Sequence, residues 1–269
     1  MSFKLNFYGS SEIGKVRQNN EDSYIIDNEL SLAIVADGMG GHKSGEIASS
    51  MAVKIVLEKY SQMTEAKIKP LPYDPSFSVE TNRLKFAVNI ANTIIYETSQ
   101  AKEENKGMGT TLTACLGWKN KISIIHVGDS RAYLFRQNSL HQLSSDHSLV
   151  MEQVRKGIIT KEQAENSSIQ NILTKALGTQ NTIDAETIEI NIMENDKIMI
   201  CSDGLFKCVK ENRIREILQE KKNCEEALKI KMKEAYDSEA PDNVTIVIGK
   251  IVKLKFKEKL KNFIKKLEI

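Results

Sequence analysis

The sequence has no apolar run that approaches the roughly 20 residues of a membrane-spanning helix. It opens on a short alternating segment and not on an apolar run, so we expect no signal peptide. Neither sign of charge is in excess, because the net charge is only +2 over 269 residues. This balance does not indicate nucleic-acid binding. We therefore expect a cytoplasmic protein without a nucleic-acid partner.

Cysteine is also scarce. The four cysteines are Cys115, Cys201, Cys208 and Cys224. No two of them form a Cys-x-x-Cys pair, and two lie in apolar segments typical of strands. These features favour reduced thiols over disulfides or a zinc site.

The chain length suits one large globular domain or two small ones, and no internal repeat divides it. Alternating and apolar runs predict strands at 3–9, 23–26, 31–36, 110–118, 121–127, 132–136, 140–143, 186–192, 196–201 and 244–252. Helical spacing predicts helices at 45–60, 81–102, 212–220 and 225–236. Three of the four prolines fall in 61–82, which we interpret as a surface connection, and 144–179 is polar with short helices.

Acidic residues stand at the ends of four predicted strands. Asp37, Asp129 and Asp203 each follow an apolar strand within two residues, and Asp242 comes just before the last strand. Strands of one sheet can bring such ends together, and carboxylates that meet repel one another unless cations neutralise them. One Asp-Gly turn would be ordinary, but four occurrences favour a site for the hard cations Mg²⁺ or Mn²⁺.

A basic residue stands near this acidic pattern. Arg17 comes four residues before the pair Glu21 and Asp22. A solvated charged loop is the alternative, but a guanidinium group can bind a phosphate through two hydrogen bonds. Two divalent ions about 4 Å apart can activate a bridging water, so no serine or cysteine nucleophile is required.

The segment Gly-Gly-His-Lys-Ser resembles part of a nucleotide-binding P-loop. The P-loop pattern Gly-x4-Gly-Lys-Ser requires glycine at positions 37 and 42, which here are Asp37 and His42. The sequence therefore excludes this kind of phosphate site.

The motifs taken together resemble the metal-dependent protein phosphatase 2C family (PPM), and most closely its compact bacterial branch. They are Arg17 with Glu21-Asp22, Asp37-Gly38-Met39-Gly40-Gly41, Gly109-Thr110-Thr111, Val127-Gly128-Asp129-Ser130-Arg131, Asp146-His147-Ser148, Leu173-Thr174-Lys175-Ala176-Leu177-Gly178, Ser202-Asp203-Gly204 and Asp242-Asn243. The resemblance runs in collinear order from residue 3 to about 252. It implies an α+β fold of four layers, α-β-β-α, in which two central antiparallel sheets are flanked by helix pairs.

The resemblance also implies the metal ligands. Asp37 would bridge two Mn²⁺ or Mg²⁺ ions. Asp203 and Asp242 would complete the first site, and the backbone carbonyl of Gly38 would serve the second.

Further residues receive roles from the same resemblance. Glu21 and Asp22 would bind the second ion or its waters. Asp129, together with Asp203, would hold a weaker third metal ion. Arg17 would bind the substrate phosphate.

Two positions depart from the family pattern. Met39 stands where some relatives carry a histidine that is a candidate general acid, and a thioether cannot donate a proton. The polar run 166–171 replaces a His-Pro-x-Arg-Asn pattern in the flap, a segment at about 144–179 that would lie beside the site. We expect all four histidines, His42, His126, His141 and His147, to be structural or surface residues.

The resemblance implies that the chain hydrolyses phosphoserine and phosphothreonine in proteins, with a water between the two ions as nucleophile. Expected partners are phosphorylated proteins and a serine/threonine kinase that the enzyme opposes, and we expect a monomer. The alternative is a catalytically silent phosphatase-fold module that only binds partners. Such a module should have lost some of the metal carboxylates, which this sequence keeps.

The last residues lie outside the family pattern. We predict a catalytic domain at 1–252 and a basic tail at 253–269 that carries seven lysines. Phe256, Leu260, Phe263, Ile264 and Leu267 share one face of a predicted helix. That helix would pack on the body or on a partner, or would lie on an anionic membrane surface.

Overall fold

The computed structural model describes residues 3–40, 44–221, 223–238 and 240–253. The strands are β1 (Phe3–Glu12), β2 (Asp22–Asp27), β3 (Leu32–Met39), β4 (Gly109–Thr110), β5 (Leu112–Trp118), β6 (Lys121–Val127), β7 (Arg131–Arg136), β8 (Ser139–Gln142), β9 (Glu186–Asn191), β10 (Lys197–Cys201) and β11 (Val244–Lys253). The helices are α1 (Ser44–Glu65), α2 (Val79–Ala101), α3 (Leu149–Arg155), α4 (Lys161–Glu165), α5 (Asp203–Cys208), α6 (Glu211–Glu220) and α7 (Cys224–Asp237), and a 3₁₀ turn covers Glu103–Asn105. In these ranges no helix is both long and apolar enough to span a membrane.

The strands form two antiparallel sheets. One has the order β1-β11-β10-β7-β8, and the other has the order β2-β3-β5-β6-β9, with the short β4 beside the end of β3. Helices α1 and α2 pack on the second sheet, whereas α6 and α7 pack on the first. This arrangement confirms the predicted fold of two central sheets between two helical layers.

Three layers of buried apolar side chains hold the sheets and helices together. On β3, Ala33 and Val35 face the other sheet, whereas Leu32 and Ile34 face helices α1 and α2. Successive side chains of a strand point to opposite faces, and both faces of this strand are covered. For that reason β3 is a continuous apolar run and not an alternating one.

The boundaries differ from the predictions by a few residues in several elements, and three differences matter for the site or its surroundings. Helix α1 runs on to Glu65, so the proline-rich connection is only 66–78. The predicted strand at 110–118 is interrupted at Thr111, because the Thr111 N–H donates to the Asp37 carbonyl oxygen at 2.8 Å. Helix α5 occupies a stretch for which the sequence indicated only a turn. The predicted tail helix lies outside the described residues.

Antiparallel pairing sets the position of the candidate site. Asp22, at the start of β2, is the register partner of Asp37 near the end of β3. In the other sheet, β10 ends at Cys201 where β11 begins, and Cys201 pairs with Ile246. Neighbouring antiparallel strands begin and end at the same edge of a sheet. The acidic residues that flank these strands therefore collect at one edge of each sheet.

Candidate metal centre

The acidic edges of the two sheets meet. The Ser202 hydroxyl, just after β10, donates to Asp22 Oδ2 at 2.7 Å, and thereby connects the first sheet to the second. Close by, the Glu21 N–H donates to Asn243 Oδ1 at 2.8 Å. These two hydrogen bonds bring the segment before β2 against the segments that flank β10 and β11.

Asp37 lies at the centre of the acidic group. Burial, followed by the negative charges of Asp22, Asp203, Asp129 and Asp242, raises its pKa well above the ordinary value of a carboxyl group. Four of the sequence-predicted carboxylates are thus close enough to act on Asp37. A buried group of like charges is unfavourable until cations neutralise it.

The backbone of Asp37 is held by two threonines that follow one another in the chain. Its carbonyl oxygen accepts from the Thr111 N–H at 2.8 Å and from the Thr110 hydroxyl at 2.9 Å. Its N–H donates to Thr111 Oγ1 at 2.9 Å. These contacts leave the carboxylate as the group that Asp37 presents to the site.

Within the acidic group, two buried carboxylate oxygens have no hydrogen-bond partner among the described residues, and Glu80 Oε2 on α2 is a third such oxygen away from the site. The two in the acidic group are Asp22 Oδ1 and Asp203 Oδ1. Burial raises the pKa of Asp22 to about 7 and that of Asp129 to about 7, and the charge of Asp203 adds to both effects. Buried polar atoms without partners are rare in native proteins. Oxygen atoms left free in this way fit hard divalent cations, which take oxygen ligands.

At Gly38 the backbone comes very close to neighbouring segments. Its N–H donates to the Glu21 carbonyl oxygen at 3.0 Å. A Cβ atom there would lie 2.1 Å from the Gly45 carbonyl oxygen and 2.7 Å from that of Glu21. Only glycine fits at this position without a shift of the backbone. The turn after Asp37 is therefore packed against the start of α1.

The Glu21 carboxyl group lies against that same helix start. A Cβ atom added at Gly45 would be 2.9 Å from the Glu21 Cδ atom. Burial raises the pKa of Glu21, while the positive charge of Arg17 opposes that rise. The Glu21 carboxyl group thus lies beside the start of α1 and within reach of the Arg17 charge.

Arg17 contacts an acidic residue that lies far from it in the chain. Its Nη2 donates to Asp242 Oδ2 at 3.0 Å, its Nε lies 2.9 Å from Oδ1, and its side chain is 52% exposed. Its charge also acts on Glu21 and Asp37. The guanidinium group therefore lies at the solvent-facing side of the carboxylates.

Lys207 is a charged member of the site that the sequence interpretation missed. It lies four residues after Asp203 on α5, and its ammonium group pairs with Asp203 Oδ2. Residues four apart share one face of a helix. The spacing would have indicated the pair only if α5 had been predicted, but a helix of six residues shows no clear periodicity.

Asp129 is positioned by its neighbours in the turn. His147 binds the peptide groups on both sides of Gly128: its Nδ1 accepts from the Gly128 N–H at 3.1 Å, and its N–H donates to the Gly128 carbonyl oxygen at 2.7 Å. Arg131 binds both carboxylate oxygens of Asp146, through its Nε and Nη2 atoms, at 2.7–3.0 Å. The chain around Asp129 is thus held to the first residues of the predicted flap.

A second group of potential ligands lies beneath this turn. Ligand atoms of His126, His147 and Glu186 lie within 4.8 Å of one another, although their spacing in the sequence matches no metal motif. Both Glu186 oxygens accept from Ser145, at 2.8 and 3.0 Å. Because His147 Nδ1 accepts a hydrogen bond, the proton of the neutral ring sits on Nε2. Neither ring nitrogen of His147 then has a free lone pair for a metal ion.

The two histidine rings stack with their centroids 5.0 Å apart. Burial lowers the pKa of His126 to about 3 and that of His147 to about 4. Both rings are therefore neutral near pH 7, and they support the turn that carries Asp129. Of the other two histidines, His141 lies exposed on β8, and His42 lies outside the described residues.

The predicted flap is attached to the body at both of its ends. After β8 it is held by the Arg131–Asp146 pair, and at its far end Leu177 exchanges backbone hydrogen bonds with Thr110 at 2.8 and 3.1 Å. Its middle reaches the site through Asn171, whose Oδ1 accepts from Lys207 Nζ at 3.0 Å. The flap thus contacts a residue that binds Asp203.

Comparisons with known proteins find relatives over most of the chain. The family model "Protein phosphatase 2C" matches residues 9–235. The chain is 35% identical over 238 residues to the serine/threonine phosphatase stp of Listeria welshimeri, which covers 87% of this chain and 91% of that protein. It is 32% identical over 243 residues to the protein phosphatase PhpP of Streptococcus pneumoniae, which covers 88% and 94%.

Solved structures extend the likeness to the fold. The serine/threonine phosphatase PstP/Ppp of Mycobacterium tuberculosis superimposes with a TM-score of 0.80 at 32% identity, over 92% of this chain and 98% of that one. The catalytic domain of PstP in complex with two manganese ions gives a TM-score of 0.79 at 32% identity, over 94% of this chain and 100% of that one.

Proposed function

The chain belongs to the protein phosphatase 2C family, and we propose that it hydrolyses phosphoserine and phosphothreonine in proteins. The observation that carries this proposal is the buried group of carboxylates around Asp37, in which Asp22 Oδ1 and Asp203 Oδ1 lack partners among the described residues. Relatives that are named serine/threonine phosphatases support the substrate class.

We propose that the site holds two divalent ions, Mn²⁺ or Mg²⁺. Asp37 lies between the other carboxylates and is assigned to both ions. The remaining assigned ligands are Asp203 and Asp242 for the first ion, with the Gly38 carbonyl oxygen, Glu21 and Asp22 for the second ion or its waters. The donor set is made of oxygen atoms only, which suits these hard ions. The manganese complex of the related PstP catalytic domain supports the choice of metal.

When bound, the ions would neutralise the carboxylates, activate water and polarise the phosphoryl oxygen. The protein residues hold this arrangement in place. Thr110 and Thr111 fix the backbone of Asp37, and the Ser202 hydroxyl fixes Asp22. Because these partners are buried, the carboxylates keep their positions with little reorganisation during the reaction.

We assign the binding of the substrate phosphate to Arg17. Two of its nitrogens bind Asp242, which orients the planar group, and the half-exposed side chain lies at the mouth of the site. A guanidinium group held in this way can bind a phosphate and a carboxylate at once, since it carries five N–H donors. The leaving serine or threonine oxygen must take its proton from a group other than Met39, because a thioether has none.

The domain assignment and the partners are part of the same proposal. Residues 1–252 form the catalytic domain, with 144–179 as a flap beside the site, and the protein acts as a monomer on phosphorylated proteins in the cytoplasm, opposing a serine/threonine kinase. The catalytically silent alternative is less well supported, since the carboxylates are buried together at an energetic cost that a module without metal would have no reason to keep. Contact of the basic tail with a membrane surface would need its own test, by liposome binding of the chain with and without 253–269.

The test is Mn²⁺-dependent hydrolysis of a phenyl phosphate and of a phosphothreonine peptide by the purified full chain. Asp37→Ala should abolish both turnover and Mn²⁺ binding while circular dichroism stays unchanged. The matched control is Asp184→Ala, which removes an exposed carboxylate on the segment before β9. Turnover of Asp37→Ala at saturating Mn²⁺ would refute the metal assignment, and an inactive wild-type chain with every divalent ion would favour the binding module.

A further inference from the structure

The Lys207 ammonium group lies inside the proposed metal site. Its side chain is only 27% exposed, and it pairs with Asp203 Oδ2. The other oxygen of the same carboxylate, Asp203 Oδ1, has no partner among the described residues. One carboxylate thus has one oxygen bound to a cation of the chain itself and one oxygen left for an added ion.

The Lys207 charge acts on more than its direct partner. It is attracted by Asp129 and Asp242 in addition to Asp203. The resemblance assigns Asp129 and Asp203 together to a third, weaker metal ion. The lysine therefore brings a positive charge to the same two carboxylates that this third ion would use.

The charges of the site favour two divalent ions. The six carboxylates are Glu21, Asp22, Asp37, Asp129, Asp203 and Asp242. Arg17 and Lys207 cancel two of their charges, and two divalent ions cancel the other four. A third divalent ion would leave an excess of positive charge beside a lysine, which is unfavourable in a partly buried site.

We propose that the Lys207 ammonium group takes the place between Asp203 and Asp129 that a third metal ion would occupy, so that this chain binds two divalent ions and not three. This inference rests on the proposed two-metal function. The same ammonium group donates to Asn171 Oδ1 at 3.0 Å. The Lys207 ammonium group consequently connects the flap to the metal ligand Asp203. Unlike a bound metal ion, this positive charge is part of the chain and cannot dissociate.

The experiment counts Mn²⁺ ions bound by the full chain, by equilibrium dialysis with metal analysis and by calorimetric titration. The wild-type chain should bind two ions, even at millimolar Mn²⁺. Lys207→Met keeps the length of the side chain but frees Asp203 Oδ2, and the count should rise to three. Lys207→Arg retains the charge and should leave the count at two.

Two further variants separate the specific effect from a general loss of positive charge. Lys210→Met removes an exposed lysine three residues away and should leave the count at two. Adding Asp129→Asn to Lys207→Met should return the count from three to two, because the third ion would lose one of its two carboxylates. Circular dichroism and thermal melting check that each variant is folded.

Three ions on the wild-type chain, or two ions on Lys207→Met, would overturn the proposal and leave the two-metal function intact. Fewer than two ions on the wild-type chain would instead refute the two-metal function, and this inference with it. The number of bound ions therefore distinguishes a failure of the Lys207 proposal from a failure of the two-metal function.

Discussion

Arg17 and Asp242 lie 225 residues apart in the sequence and form a two-point ion pair, with Nε 2.9 Å from Oδ1 and Nη2 3.0 Å from Oδ2. The pair closes the solvent-facing side of the carboxylate group, between the turn before β2 and the start of β11. The hydrogen bond from Nη2 and the ion-pair contact of Nε form a fork that orients both groups. The proposed role of Arg17 at the substrate phosphate comes from the resemblance, and this contact would hold its guanidinium group in place for that role.

Replacement of the guanidinium group should chiefly weaken substrate binding. Arg17→Lys keeps the charge but loses the fork, so we expect KM to rise roughly 10-fold or more, with a smaller change in kcat, at saturating Mn²⁺. Steady-state kinetics with a phosphothreonine peptide measure both constants. Arg215→Lys, on the exposed side of α6, is the control. A fall in kcat at constant KM would contradict the assignment.

A methyl group at Gly38 should disturb the metal site. Gly38→Ala would place Cβ 2.1 Å from the Gly45 carbonyl oxygen, so the backbone must move, at a cost of about 1–3 kcal/mol. We expect weaker Mn²⁺ binding and a lower melting temperature. Gly157→Ala, where nothing lies within 4 Å of the added atom but φ is 69°, should lower the melting temperature through backbone strain and leave Mn²⁺ affinity unchanged. Equal Mn²⁺ affinity of Gly38→Ala and the wild-type chain would refute the role of this turn.

The buried Asp22 carboxyl group should destabilise the metal-free protein, and this destabilisation should grow as pH rises. Its folded-state pKa is about 7, raised first by burial, so the folded chain takes up a proton more readily than the unfolded chain. The free energy of unfolding therefore falls as pH rises from about 4 to about 7. Asp22→Asn stays neutral, and in EDTA at pH 8 it should be more stable by the order of 2–4 kcal/mol.

The advantage of Asp22→Asn should shrink as pH falls towards 4, and Mn²⁺ should stabilise the variant less than the wild-type chain. Urea unfolding in EDTA at several pH values tests the first expectation, and melting with Mn²⁺ tests the second. Asp184→Asn serves as the exposed control. A constant difference between Asp22→Asn and wild type from pH 4 to pH 8 would contradict the explanation.

Lys231 provides a test of stability away from the site. It is fully buried between α7 and α6, where its ammonium group donates to the Ile214 carbonyl oxygen at 3.2 Å, and burial lowers its pKa to about 7. The unfolded chain holds this proton up to about pH 10, so the free energy of unfolding rises with pH between about 7 and 10. Lys231→Met should stabilise the protein at pH 7 by the order of 2 kcal/mol.

The gain from Lys231→Met should decline as pH rises towards 10, because the folded wild-type chain loses the lysine proton above about pH 7 and the free-energy advantage of the protonated unfolded chain shrinks as pH approaches the ordinary lysine pKa. Urea unfolding of both proteins at pH 7, 8.5 and 10 measures this difference in the free energy of unfolding. Lys229→Met removes an exposed lysine of the same helix that pairs with Glu225, and should show no such trend. A variant that is less stable than wild type at pH 7 would refute the prediction.

The order of strands and helices could be predicted because it depends on local patterns. The apolar run that ends at Asp37 indicates a strand covered on both faces, and β3 is such a strand. The Thr160 and Gln163 side chains indicate a capping box, and they form one at the start of α4. Patterns of this kind lie within a few residues of one another, so that no knowledge of the packing is needed.

The short elements and the pairing of side chains could not be predicted in this way. Helix α5 has six residues, too few for a periodic signal, and without it the contact of Lys207 with Asp203 was missed. His126, His147 and Glu186 meet although their spacing suggests nothing, because β6, the flap and β9 bring them together. Arg17 has Asp242 as its direct partner, and no pattern in the sequence indicates this contact between residues 225 positions apart.

The sequence by itself determined that acidic residues end four apolar strands, and hence that carboxylates would gather at a sheet edge. Only the tertiary structure decided which oxygens are buried without partners, which are bound by Arg17 and Lys207, and how the two sheets bring Asp22 against Ser202. The reason is physical: a strand pattern fixes the face on which a residue lies, whereas the charge balance of a site depends on contacts between segments that are far apart in the chain.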